Sequence, residues 1–142
     1  MASIRENIAS HIVTQIDAIS DVKTVTREPT DIAQLAVTSF PHVLVESANE
    51  VRENSSIGSA PRQESTIDFL INVVVHGNNR DSDRNSIIEK IEEKLALDTT
   101  LGGNASDSFT SEVIIREIGE TKPYGQAALV YTAKYYHARG SV

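Results

Sequence analysis

Thr66-Ile67-Asp68-Phe69-Leu70-Ile71-Asn72-Val73-Val74-Val75-His76 is the stretch that decides the fold class. Ile67, Phe69, Ile71, Val73 and Val75 fall on one face of an extended chain, and Thr66, Asp68, Asn72 and His76 on the other. Period-two alternation of this kind predicts a strand with one face in a core. The same run, interrupted by Asn72, is far too short for a membrane-spanning helix. Gly77-Asn78-Asn79 breaks the chain, and a second helix follows, expected to be capped by Asp81 or Ser82. Ile87, Ile88, Ile91 and Leu95 form its apolar stripe.

Toward the N-terminus, residues 47–65 are polar, with Gly58, Pro61 and five serines, and are expected as a long loop or an extended hairpin arm. Before them His42-Val43-Leu44-Val45-Glu46 reads as a buried strand, opened by Phe40-Pro41. Residues 31–40 suit a helical turn or an extended segment about equally. Val22-Lys23-Thr24-Val25-Thr26-Arg27 is β-branched and alternating, a short strand ended by Pro29. The chain begins with an amphipathic helix whose Ile4, Ile8, Ile12, Ile16 and Ile19 recur at helical spacing, opened by Ala2 or Ser3. Toward the C-terminus, Leu101-Gly102-Gly103-Asn104 is a turn, residues 105–110 a polar linker, and residues 111–118 and 125–137 two final strands.

Helix, two or three strands, helix and two strands predict an α+β fold: a mixed, mainly antiparallel sheet with two helices on one face. At 142 residues a single domain, 1–142, is expected, with the arm or loop at 47–65. The expected core is Ile4, Ile8, Ile12, Ile16, Phe69, Ile71, Val73, Ile87, Ile91 and Leu95.

Composition narrows the function. Cysteine is absent, which excludes disulfides, thiolate zinc sites and a cysteine nucleophile. Thirteen Lys and Arg against 20 Asp and Glu give a net charge of −7, with no basic run and few aromatics, which argues against tight nucleic-acid binding. The polar start, Met1-Ala2-Ser3-Ile4-Arg5-Glu6, lacks the apolar core of a signal peptide, so a soluble protein made in a cytoplasm is expected, in which the glycosylation-like triplets at Asn54 and Asn104 would have no meaning.

Catalytic and metal patterns are weak. Asp81 to Glu92 matches several positions of a calcium loop, but Ser86 stands at the obligatory glycine and the apolar helical stripe runs through it. His11, His42, His76 and His137 show no paired ligand spacing. His76 and His137 both end strands, and with Asp68 they define a rival reading as a small metal-dependent hydrolase. No nucleophile elbow or phosphate loop is present. No cofactor, metal or catalytic residue is therefore assigned, and an enzyme is not expected. In the last strand Leu129, Tyr131, Ala133 and Tyr135 share one face, and Val130, Thr132, Lys134 and Tyr136 the other. Either both faces are partly covered within the chain, or the second meets another subunit, where tyrosine is enriched.

Four segments in order carry a resemblance: the isoleucine-striped first helix running into Asp21-Val22-Lys23-Thr24-Val25; Phe40-Pro41-His42-Val43-Leu44-Val45; Leu97-Asp98-Thr99-Thr100-Leu101-Gly102-Gly103; and Ala128-Leu129-Val130-Tyr131-Thr132-Ala133-Lys134-Tyr135-Tyr136. Together they resemble the tail terminator (tail completion, or minor tail) proteins of long-tailed bacteriophages, over nearly the whole chain. The resemblance implies a virion protein of the tail or neck, assembled in the host cytoplasm. It would form a homohexameric ring that caps the tail tube, ends its polymerisation and offers the joint to the head.

The partners implied are further copies of the chain, the tail tube protein and head–tail connector or neck proteins, with no membrane. DNA would pass the lumen without specific binding, which suits an acidic protein. Another connector, such as a head-closure or adaptor ring, is the nearest alternative; a generic dimeric ligand-binding domain lacks any pocket signature. Candidate subunit or tube contacts are Arg52, Glu53 and Arg62 on the long arm, and Lys122, Pro123 and Tyr124 in the last hairpin.

Overall fold

A computed structural model describes residues 3–28, 40–54, 62–77, 79–118 and 124–138. In order these form helix α1 (Ile4–Asp17), strands β1 (Thr24–Thr26), β2 (His42–Asn54) and β3 (Arg62–His76), helix α2 (Arg80–Ala96), and strands β4 (Asp107–Ile118) and β5 (Tyr124–Ala138). The five strands make one sheet in the order β1-β2-β3-β5-β4. Only β1 and β2 are parallel; the other three pairings are antiparallel. The fold is α+β with a mixed, mainly antiparallel sheet, as the element order predicts.

Two stripes and one strand face build the core. Ile8, Ile12 and Ile16 of α1 and Ile87, Ile91 and Leu95 of α2 pack on Val43, Val45, Ile67, Phe69, Ile71, Val73 and Leu129. Cross-strand register aligns that face, with Val43 opposite Val73, Val45 opposite Ile71, and Ile71 opposite Leu129. Of the expected core residues only Ile4 is partly exposed, in the first turn of α1. Ser3 caps that helix by accepting from the Glu6 amide at 3.1 Å.

Three expectations need correction. The second helix starts two or three residues early: Asn79 is its N-cap, without a side-chain cap bond. Asp81 instead accepts from the buried Arg84 at 2.6 Å, so its carboxylate is held along the helix. The calcium-like segment is thus continuous helix, with Asp81 and Asp83 complementing its N-terminal dipole. Second, β4 begins at Asp107, inside the expected linker. Its polar Ser108 is buried because its hydroxyl donates to the Thr99 carbonyl and accepts from Tyr131, both at 2.7 Å.

Third, of the two readings of residues 47–65, the loop gives way to the extended hairpin arm. β2 continues to Asn54 and β3 starts at Arg62, with Asn54 opposite Gln63. A register shift between Ser47 and Asn49 marks a bulge in β2, and a similar one lies between Thr110 and Glu112 in β4. Residues 55–61 lie outside those described, as do 31–39.

The turn after α2 is built around Asp98. Its carboxylate accepts from the Thr100 amide and hydroxyl at 3.1 and 2.6 Å, and from the Gly102 amide at 2.9 Å. The Thr100 hydroxyl and then the Gly102 amide stabilise the charged form and hold Asp98 below the usual carboxylate range. Leu101, Gly102 and Gly103 all take positive φ, at 51°, 74° and 85°. That path lets Leu101 bury completely. The motif is a structural plug.

Candidate assembly surface

Of the six residues singled out from sequence, the four that are described fall at opposite ends of the sheet. Arg62 of β3 pairs with Ala138, whereas His76, at the other end of that strand, pairs with Tyr124. At the rise of a strand those ends are roughly 45 Å apart. Arg52, Glu53 and Arg62 therefore share the β2–β3 hairpin end, and Tyr124 opens β5 at the far end. Lys122 and Pro123 lie outside the described residues.

At the hairpin end the helix-bearing face turns polar, and a network replaces the apolar core. Tyr135 is 1% exposed and donates to Glu50 Oε1 at 2.6 Å; Arg52 Nε donates to Oε2 at 2.6 Å. Arg5, from the first turn of α1, reaches the same carboxylate at 3.6 Å. Beside it the Ser65 hydroxyl lies 2.7 Å from His137 Nε2, and the Tyr135 and His137 rings are 5.4 Å apart. Burial works to raise the Glu50 carboxyl, but the bonds from Tyr135 and Arg52 and the charge of Arg5 outweigh it and hold it below the ordinary range. Burial first, and then Glu50, push the Tyr135 phenol up.

Arg52 is thus already committed to Glu50 on its own strand; one guanidinium keeps further donors for a partner. Glu53 is exposed and sits directly opposite Glu64. Like charges in a cross-strand pair repel. Val51 and Tyr136, 55% and 41% exposed, stand on the helix-free side of the same end. Glu50 and Tyr135, which organise the network, escaped sequence reasoning. Tyr135 was visible as part of an alternating face, but nothing local pairs it with Glu50, 85 positions earlier.

The rival hydrolase constellation does not assemble. His76 and His137 end neighbouring strands, but β3 and β5 are antiparallel: His76 faces Tyr124 and His137 faces Gln63. The histidines are roughly 40 Å apart by strand rise, and Asp68 accepts from Thr132 midway between them. Ser65 contacts His137 and is completely buried. Among the described residues no group of three His, Asp or Glu is arranged to hold a metal. A cleft of about 360 Å³ at the far end is lined by Asp21, Pro41, His76 and Asp83, with Asp21 engaged by Lys90. Among the described residues no helix is long and apolar enough to cross a membrane.

The two edges of the sheet differ from its middle. β5 lies between β3 and β4, and even its helix-free side is partly covered, with Ala128 and Thr132 buried and Val130 half-buried. On β4 the picture reverses: Phe109, Val113 and Ile115 are 45%, 40% and 55% exposed. Val113 and Ile115 stand opposite Leu129 and Ala127, on the helix-bearing face but beyond the helices' reach.

No protein-family model matches the sequence, and no curated protein matches it. Among solved structures, the fold is similar to that of a chain in the virion of a native gene transfer agent particle. The likeness has a TM-score of 0.51 and 12% identity, and spans 96% of this chain and all of the other. At that identity it is a likeness of fold.

Proposed function

We propose that this chain is a structural protein of a phage-like virion, and within it a tail terminator: a ring that caps the tail tube, halts its growth and presents the joint to the head. The observation that carries this is the end-to-end fold likeness to a virion chain, whose whole length is matched. The four ordered sequence segments that resemble tail terminators point the same way. A sheet with an exposed apolar edge strand gives the protomer a surface for lateral contacts. The net charge of −7 suits a ring through which DNA slides without being retained.

Negative-stain imaging together with solution mass tests the ring. Annular particles of one size are expected; a chain that remains monomeric at all accessible concentrations would refute it. Particles lacking the protein distinguish the terminator from another neck ring: overlong or unjoinable tails are expected, whereas filled heads that leak DNA would point to a head-closure role.

A further inference from the structure

We infer that copies of this chain join edge to edge, β4 of one protomer adding to β2 of the next to make one continuous antiparallel sheet around the ring. This rests on the ring reading above and specifies its interface. Among the described residues, both margins of the sheet are open. β4 pairs with β5 alone along Asp107–Ile118, and β1 covers only His42, Val43 and Leu44 of β2, leaving residues 45–54 without a strand on that side. Open edges present rows of amide and carbonyl groups that pair readily with another strand.

Polarity decides which pairing closes a ring. Successive antiparallel pairings make β2 and β4 run in opposite directions on opposite margins. Rotating a copy about an axis along the strands preserves strand direction and keeps the helices on the same side. It brings β4 against the neighbour's β2 in antiparallel sense. Such a contact is heterologous, uses both margins and propagates until it closes. A two-fold β4–β4 contact would leave β2 open and stop at a dimer. β1 limits the register, because its three residues occupy the margin beside His42–Leu44 and confine the incoming strand to residues 45–54. The exposed Val113 and Ile115 would then lie beside the neighbour's β2 and leave water.

The charges on the two margins also carry a consequence. Residues 45–54 hold Glu46, Glu50 and Glu53 against one arginine, and β4 carries Asp107, Glu112 and Glu117 against Arg116. Like-signed edges oppose casual pairing, so added salt favours this contact. An interface held by ion pairs of Arg52 or Arg62 would instead weaken.

Backbone hydrogen exchange on rings and on dilute monomer, at low and at 0.5 M salt (a Debye length of about 4 Å), tests the contact without assuming a register. The outward-pointing, alternate amides of residues 45–54 and 107–118 are expected to slow roughly tenfold or more on assembly, with β3 and β5 unchanged. The ring fraction should rise with salt. Val113→Lys and Ile115→Lys should each abolish rings while leaving the monomer's circular dichroism intact. Rings in which either margin exchanges as in the monomer, or a dimer protected only in β4, would overturn the edge contact and leave other ring geometries standing. A chain with no assembly under any condition would overturn the ring itself.

Discussion

The middle of the sheet and its hairpin end belong to the same three strands, yet they are held by different physics. Under α1 and α2 the inward face is wholly apolar: Phe69, Ile71, Val73 and Leu129 have no exposed surface. Two register steps beyond Phe69, at Ser65 and Tyr135, that same face carries Ser65, Glu50, Arg52, Tyr135 and His137 joined by hydrogen bonds. The helices make the difference. Where they cover the sheet, apolar burial is available and stabilises without direction; at the margin of that cover, buried polar groups need partners, and each partner fixes geometry. The middle holds the protomer together, and the end holds one shape where the helix cover runs out.

Core truncation should show the largest contrast. Phe69→Ala removes a fully buried ring and is expected to cost about 3–5 kcal/mol, read from urea unfolding. Tyr135→Phe, with similar burial but only a hydroxyl removed, should cost about 1 kcal/mol. Equal losses would erase the distinction between the two regions.

Glu50→Gln comes next, at about 1–3 kcal/mol, because it weakens the acceptor of both Tyr135 and Arg52 and removes the charge that faces Arg5. The sign of its pH dependence follows from the lowered carboxyl. Its stabilisation is present above the ordinary glutamate value and is lost as pH falls through the lower folded value. The raised Tyr135 phenol acts at the other extreme: its contribution is complete below the ordinary tyrosine range and is lost as pH rises through the higher folded value. The acid limb of a stability titration should therefore flatten in Glu50→Gln, and the alkaline limb only in part, because burial of the Tyr135 phenol remains.

Smaller still is Gly102→Ala in the Asp98 turn, which supports the middle region from outside the sheet. The glycine has φ of 74°, and an added Cβ would sit 3.0 Å from His11 Nδ1. A cost of about 1–2 kcal/mol is expected in thermal unfolding; a Gly103→Ala control, with positive φ but open space, should cost less.

The same contrast explains what could be read in the sequence. Helix stripes and the 67–75 alternation were legible because a one-sided core imposes a period on apolar residues. The outer halves of β2 and β3 were not, because beyond the helices both faces meet polar surroundings and the alternation disappears, leaving Glu, Arg, Asn and Ser that resemble a loop. β4 was shortened for a related reason: Ser108 is buried by hydrogen bonds, not by apolarity. Arg52 and Glu53 stand out in the sequence as charges on an arm. Their partners, Glu50 with Tyr135 and the facing Glu64, depend on strand register, which a hidden apolar pattern usually reveals and a polar strand does not.

Glu53 offers the smallest and sharpest test of the hairpin end. It faces Glu64 across the β2–β3 pair, so the protomer carries a repulsion there that a neutral side chain would relieve. Glu53→Gln should stabilise the monomer by a few tenths of a kcal/mol, up to about 0.5, with the gain shrinking in high salt. A residue kept only for folding would not be expected to oppose it, whereas one that meets a cation of another subunit would. If Glu53→Gln stabilises the monomer yet raises the concentration needed for rings, the hairpin end is a contact surface in its own right. If rings form more readily, the acidic pair acts only as a brake on edge pairing, and the hairpin end owes its polar network to geometry alone.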